Sequence, residues 1–396
     1  MKRILFYSES FCGEKVHGGL ESATYRLAKA LKESGRWEVY DAFRSMGDGK
    51  EKSIYKKVIK LGKSNSVFVK QLASFIRDEK IDVIVNMTRF YRHKYIIEAI
   101  KRSGREVKVV FMQHFAPGSE MKKPTYKSGF HLLKLNPYNP LYWLRASIYP
   151  LIKLHRNRNW GKIYKSVYES SNKVVLLSEG YIDGYKEVAG LEVNGDKFIA
   201  IPNIFELPSE HRDFLPKKQK RVLIMSRMDE IQKRVSLALR IWKIIEEEPD
   251  LQDWHLDIVG TGHDIALEKR VAKLLQLKNI TFHGWGDRDE FLGKSPILLM
   301  TSEYEGLPLT ILEALAYSCV PIAYDSYASL KDVVANDING ITVSPFGDIE
   351  GFAEKLKSLM RDKERREELG KNASLTTENF SSKRIGDKWL ELLENL

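Results

Sequence analysis

The chain has 396 residues, 43% hydrophobic and 30% charged, about two to three times the common domain size; it implies two domains and excludes a disordered or fibrous protein. The net charge of +11 is unevenly carried: residues 1–200 hold 37 Lys+Arg against 20 Asp+Glu, and residues 51–170 alone hold 25 against 8. So local an excess points to something anionic beside that stretch, whether nucleic acid, a membrane surface or a phosphorylated ligand.

Met1-Lys2-Arg3 precedes an apolar run, Ile4–Tyr7, that is too short for the core of a signal peptide and reads as a first strand. Short apolar runs at Arg3–Tyr7, Asp82–Asn86, Val107–Met112 and Lys173–Leu177 alternate with helical patterns such as Val67–Glu79 and His93–Ser103. The alternation restarts at Arg221–Ser226 and continues through His255–Val259, Asn279–His283, Pro296–Thr301, Val320–Ala323 and Gly340–Val343. Helical patterns at Val235–Glu247 and Pro308–Ser318 lie between these runs. Strand, helix and strand in repetition imply an α/β chain with two doubly wound, Rossmann-like parallel sheets.

The domains read as 1–203 and 221–377, joined by a linker at 204–220 where Pro208, Pro216 and the Lys217–Lys220 run break both periodicities. A final stretch, 378–396, carries Ile385, Trp389, Leu390, Leu392 and Leu393 as a helical apolar stripe, expected to pack back toward the N-terminal domain. The segment Ala116–Ser170 departs from the pattern: five prolines and many aromatics are interleaved with Lys and Arg. That mixture suits a membrane interface, a lipid-phosphate acceptor or nucleic acid, or an insertion with its own aromatic core. Cys12 and Cys319 have neither disulfide-framework nor metal spacing, so buried thiols in a reduced, cytosolic chain are expected.

Three motifs carry chemistry. Gly18-Gly19 opens a helical pattern after the first strand, where a backbone free of side chains can approach an anion; an ordinary Gly-rich turn looks the same. Arg227 and Lys233 follow the first strand of the second domain, at the strand end where ligands of open α/β sheets gather. The third motif is Glu305-Gly306-Leu307-Pro308-Leu309-Thr310 leading into a helix that contains Glu313. Pro308 suits a first helical turn, which makes the helix start an anion site. Carboxylates at Glu305 and Glu313, eight positions apart, address hydroxyls at two points of an extended ligand.

The Glu305–Glu313 pair, in its EGxPxxxxEA setting, resembles the hallmark of retaining GT-B glycosyltransferases, family four. Other landmarks stand in order: Gly18-Gly19, His114 after a strand, Pro202-Asn203, Arg227 and Lys233, Ile258–Gly262, Phe282-His283-Gly284 and Asn339-Gly340. The resemblance implies two domains facing across a cleft and transfer of a sugar from a nucleotide-diphosphate sugar, UDP-sugar favoured. The acceptor would be a glycan or lipid-linked saccharide of surface-polysaccharide synthesis. It implies that Arg227 and Lys233 neutralise the donor diphosphate, Glu305 holds the transferred sugar and Glu313 binds the ribose. His114 would reach the sugar. Backbone N–H groups of Gly18, Gly19, Gly306, Leu307, Pro308's neighbours Leu309 and Thr310 would contact the donor, and the base would lie near Gly260 and Gly284. Ser226 and Arg234 stand where the family often has Gly.

No metal or other cofactor is expected. Asp287-Arg288-Asp289 spells the DxD of metal-dependent transferases, but Asp287 with Glu290 reads as a capping box opening a helix. The expected location is the cytoplasm, with peripheral docking of the basic stretch on anionic lipid at the inner face of the membrane. A nucleotide-sugar epimerase of the same fold is the alternative enzyme. A nucleic-acid-binding protein would use the same basic stretch, but no recognition-helix or stacking motif accompanies it.

Overall fold

Ile4, Leu5, Phe6 and Tyr7 are fully buried and form the inner part of the first strand, β1 (Lys2–Tyr7). The computed structural model describes residues 1–13, 19–45, 54–87, 90–122, 147, 149–192, 197–206 and 218–396, apart from the side chains of Ser374 and Leu375. The chain divides into two units, Met1–Ile201 with Lys388–Leu396, and Pro202–Asp387. Most of the expected linker, 207–217, lies outside the described residues. Its first residues, Ile204 and Phe205, are buried in the second unit, where the Phe205 N–H donates to the Phe380 carbonyl (2.8 Å).

The first unit adds β2 (Trp37–Phe43), β3 (Lys57–Lys60), β4 (Val83–Met87), β5 (Lys108–Gln113), β6 (Lys173–Leu176) and β7 (Phe198–Ala200). All pair in parallel, in the order β3-β2-β1-β4-β5-β6-β7. The strand order turns back between β1 and β4, as in a doubly wound sheet. Strands β2, β3 and β7 have no counterpart in the expected elements. In β2 the reason is Asp41, fully buried in mid-strand, which breaks the apolar run; burial pushes its carboxyl up to about 8.

The expected irregular stretch 116–170 contains a 22-residue helix, Tyr149–Ser170; residues 123–146 and 148 lie outside the described residues. The helix is anchored by aromatics. Tyr164 stacks on Phe90 at 4.4 Å, Trp160 meets the same ring edge-on at 5.8 Å, and the Tyr164 hydroxyl donates to Glu120 (2.8 Å). The described aromatics of this helix thus pack on Phe90 and Tyr185, outside the segment. At the other end of the helix, Leu151, Ile152 and Leu154 are exposed among Lys153, His155, Arg156 and Arg158. At the C-terminus, the helix Ser382–Glu394 buries Ile385, Trp389, Leu392 and Leu393.

The second unit contains β8 (Arg221–Met225), β9 (His255–Val259), β10 (Ile280–Gly284), β11 (Ile297–Met300), β12 (Val320–Tyr324) and β13 (Ile341–Val343), in the order β10-β9-β8-β11-β12-β13. Its core packs Trp242, Ile241 and Ile245 of the helix Val235–Glu246 with Phe352 and Leu356 against the buried strand residues. The order turns back between β8 and β11, which pair through Val222–Ile297 and Leu223–Leu298. The loops leaving the carboxyl ends of these two strands therefore emerge side by side.

The ends of β8, β9 and β10 are drawn together by two glycines. Gly260 follows β9 with φ +132, and a Cβ there would lie 1.9 Å from the Ser226 carbonyl oxygen. Its N–H donates to the Gly284 carbonyl (2.7 Å), while the Ser226 N–H donates to Val259 (3.0 Å). Gly260→Ala should therefore push the β8 loop outward and destabilise the second unit by about 2 to 4 kcal/mol, adding backbone strain to a clash. Urea unfolding followed by tryptophan fluorescence tests this; an unchanged midpoint would reject the close approach as a structural requirement.

Candidate functional site

The loop after β8 carries Arg227, Gln232 and Lys233, and the loop after β11 carries Glu303 and Glu305. Lys233 Nζ reaches Glu305 Oε1 at 2.5 Å, with the two side chains only 11% and 9% exposed. Gln232, itself buried, donates to the other Glu305 oxygen (3.0 Å) and to the Tyr304 carbonyl (3.2 Å). Its amide oxygen accepts from Arg227 Nη2 (3.1 Å). Arg227, Gln232, Glu305 and Lys233 are thus one connected network, with the exposed Arg227 at its outer end.

Backbone contacts hold the two loops in register. The Glu303 N–H donates to the Gln232 carbonyl (2.8 Å), and the Thr301 hydroxyl lies 3.0 and 2.9 Å from the carbonyls of Lys233 and Arg234. Arg234 adopts φ +51, a conformation that glycine takes without cost; its guanidinium is held by Glu303 at 2.5 Å. The target of Arg234 is therefore a loop carboxylate.

Pro308 occupies the cap position before the helix Leu309–Ala316, one place earlier than its expected first-turn role. The Leu309 N–H is taken by the Leu307 carbonyl at 2.9 Å, so this donor is committed within the turn. Gly306 and Leu307 are buried beneath the turn, and Thr310 is partly open. Glu313, on the same helix and partly exposed, accepts from Arg288 Nη1 at 3.3 Å. Arg288 opens the helix Arg288–Lys294, which is capped by Asp287 Oδ1 accepting from the Asp289 and Glu290 N–H groups (2.8 and 3.3 Å). The neighbouring Trp285 is 79% exposed.

The expected residues thus fall into groups. Arg227, Lys233 and Glu305 converge, Glu313 pairs with Arg288, and Gly260 and Gly284 lock strand ends together. Gly19 begins the helix Gly19–Glu33 of the first unit; Gly18 lies outside the described residues. His114, also in the first unit, follows β5 and is buried; burial alone pushes its imidazole down to about 3, so it is neutral at physiological pH. Sequence reasoning passed over two residues, Gln232 and Arg288. Gln232 sits inside the Arg227-to-Lys233 spacing, and Arg288 inside a string read only for its acids.

Arg227 at the network's outer end, Lys233 behind it and carboxylates on adjoining turns can address an anion and a polyol in the same ligand. Residues 208–376 match the family model described as glycosyl transferases group 1. The chain is 23% identical over 239 residues to poly(glycerol-phosphate) alpha-glucosyltransferase of Bacillus subtilis (strain 168), covering 59% of this chain and 34% of that protein. It is 30% identical over 183 residues to the amylovoran biosynthesis glycosyltransferase AmsD of Erwinia amylovora, covering 46% and 50%. The matched regions thus span half or less of these curated relatives' lengths. Over the whole of both chains the fold matches HepE of Anabaena, solved in complex with UDP and glucose, with a TM-score of 0.72 at 14% identity. The chain has the GT-B fold, and residues 208–376 match the glycosyl transferases group 1 model.

Proposed function

We propose that the protein is a retaining glycosyltransferase of family four. It would move a sugar from a UDP-sugar to a glycan or lipid-linked saccharide in cell-surface polysaccharide synthesis. The observation that carries this reading is the buried Lys233–Glu305 pair, tied through Gln232 to Arg227 at the switch point of the second sheet. The names of the relatives, glucosyl- and polysaccharide-forming enzymes, and a similarly folded protein solved with UDP and glucose support the same substrate class.

In this reading the bond between the anomeric carbon and the diphosphate oxygen breaks, and the acceptor hydroxyl forms the new bond on the same face. The acceptor proton passes to the leaving phosphate. Arg227 and Lys233 stabilise the charge that grows on that phosphate as preorganised cations, with no metal required at the reacting bond. Glu305 orients the sugar hydroxyls. Glu313 takes the ribose hydroxyls once Arg288 releases its carboxylate.

Glu305→Ala, Arg227→Ala and Lys233→Ala should each lower UDP release from UDP-sugars with an acceptor mixture by about 100-fold or more, as loss of a transition-state contact does. Near wild-type turnover in all three would overturn the assignment. Gln232 acts by positioning: Gln232→Ala should lower kcat about 10-fold with a smaller change in KM, since Glu305 and Arg227 lose their shared partner. A KM effect alone would assign Gln232 to ground-state binding instead.

The reading also places the protein on the inner face of the cytoplasmic membrane. Its support is the exposed Leu151, Ile152 and Leu154 among basic residues of the helix Tyr149–Ser170, together with the basic excess of residues 51–170. Among the described residues no helix is long and apolar enough to cross a membrane. Vesicles containing anionic lipid should sediment the protein at low salt and release it at high salt, whereas neutral vesicles should not. Equal sedimentation with both would reject electrostatic docking.

A further inference from the structure

A second cluster of ligand-type side chains lies beside the site, tied to the network above through the Gln232 N–H. Asp229 is in the β8 loop, between Arg227 and Lys233, and His263 and Asp264 are in the turn after β9. One ligand atom from each of the three lies within 4.8 Å of the other two. Ligands about 2.1 Å from an octahedral ion stand roughly 3 to 4.2 Å apart, so small side-chain movements would close the triad on a cation. The backbone already fixes it. The Glu230 N–H donates to Asp264 Oδ2 (2.8 Å), the Gln232 N–H donates to Asp229 Oδ1 (3.3 Å), and His263 Nε2 is 3.1 Å from Asp264 Oδ2.

An independent observation points to a positively charged occupant. Glu268, one turn beyond Asp264 in the helix Ile265–Leu274, is 0% exposed, and neither carboxylate oxygen has a hydrogen-bond partner among the described residues. The charged groups acting on it are Glu230, Asp264 and Asp229, all of its own sign, and two of them belong to the triad. Burial and these acids push the Glu268 carboxyl up to about 8, and a cation placed among them, or a donor bound to one, offsets the cost of its charged form.

We propose that Asp229, His263 and Asp264 bind one divalent cation, of the Mn²⁺ type that accepts both carboxylate and imidazole, with Glu268 accepting from a water on the ion. The ion ties the loop of Arg227 and Lys233 to the turn after β9, where the Asp264 N–H already donates to the Met228 carbonyl (3.2 Å). Its role is to set that loop, and it lies apart from the bond broken in the proposed transfer. The site stands on its own residues and does not depend on that transfer.

The test uses the full chain, stripped with a chelator and titrated with MnCl₂ without nucleotide, while the free Mn²⁺ signal is followed by electron paramagnetic resonance. One ion per chain should bind. His263→Ala, at a side chain 66% exposed, and Asp229→Asn should each weaken binding about 10-fold or more. Glu268→Gln should weaken it while raising the melting temperature of the metal-free protein, because it supplies a donor to the acids. Saturable binding absent below about 1 mM would overturn the proposal, as would unchanged binding in both His263→Ala and Asp229→Asn. Because the readout is metal binding alone, its failure leaves the glycosyltransferase reading untouched, and loss of transfer activity leaves this proposal untouched.

Discussion

An ammonium and a carboxylate that are both about nine-tenths buried must meet, and the arrangement of the second unit follows from that need. Lys233 and Glu305 arrive from different loops, and each would be an uncompensated charge without the other. The sheet makes the meeting possible by pairing β8 with β11, so that the two loops leave neighbouring strand ends. Backbone donors and acceptors then fix the separation: Glu303 to Gln232, and Thr301 to Lys233 and Arg234. Pairs of this kind add little net stability, but they narrow the geometries the loops can adopt, and narrow geometry is what a preorganised site requires.

Much of this was legible in the residues themselves. Mostly apolar runs marked β1, β4, β5, β6 and the strands of the second sheet, most of which are buried on both faces, although β9 carries the buried Asp257 and β10 is partly exposed. The carboxylates and cations were readable because they sit in fixed spacing around turn-forming glycine and proline. What escaped was polar burial. Asp41 disguised β2, short length and charge disguised β3, and the prolines and aromatics of 116–170 hid a long helix behind a loop-like composition. Gln232 escaped for a similar reason: a neutral amide between two recognised cations carries no charge signal, and only the three-dimensional path from Arg227 to Glu305 reveals its use.

Buried carboxylates in this protein are met in different ways. Asp257 in β9 is satisfied by Arg221 Nη1, which donates to both carboxylate oxygens (2.9 and 2.7 Å), and by His283 Nε2 (2.8 Å). Asp41 accepts a long contact from the Cys12 N–H (3.4 Å), and burial raises its affinity for a proton. Glu268 stands among acids. The contrast separates an acid whose charge is held by partners from acids that burial pushes toward the protonated form.

Arg234 shows how one strained backbone position can bind two loops to a common history. Its φ of +51 carries a cost that glycine would not incur, and the contact with Glu303 offsets that cost. A change at Glu303 removes the advantage of arginine and leaves only the strain, while glycine at 234 removes the partner that Glu303 neutralises. The two positions are therefore epistatic: each substitution is tolerated best in the background of the other, and homologues are expected to carry them as a matched pair.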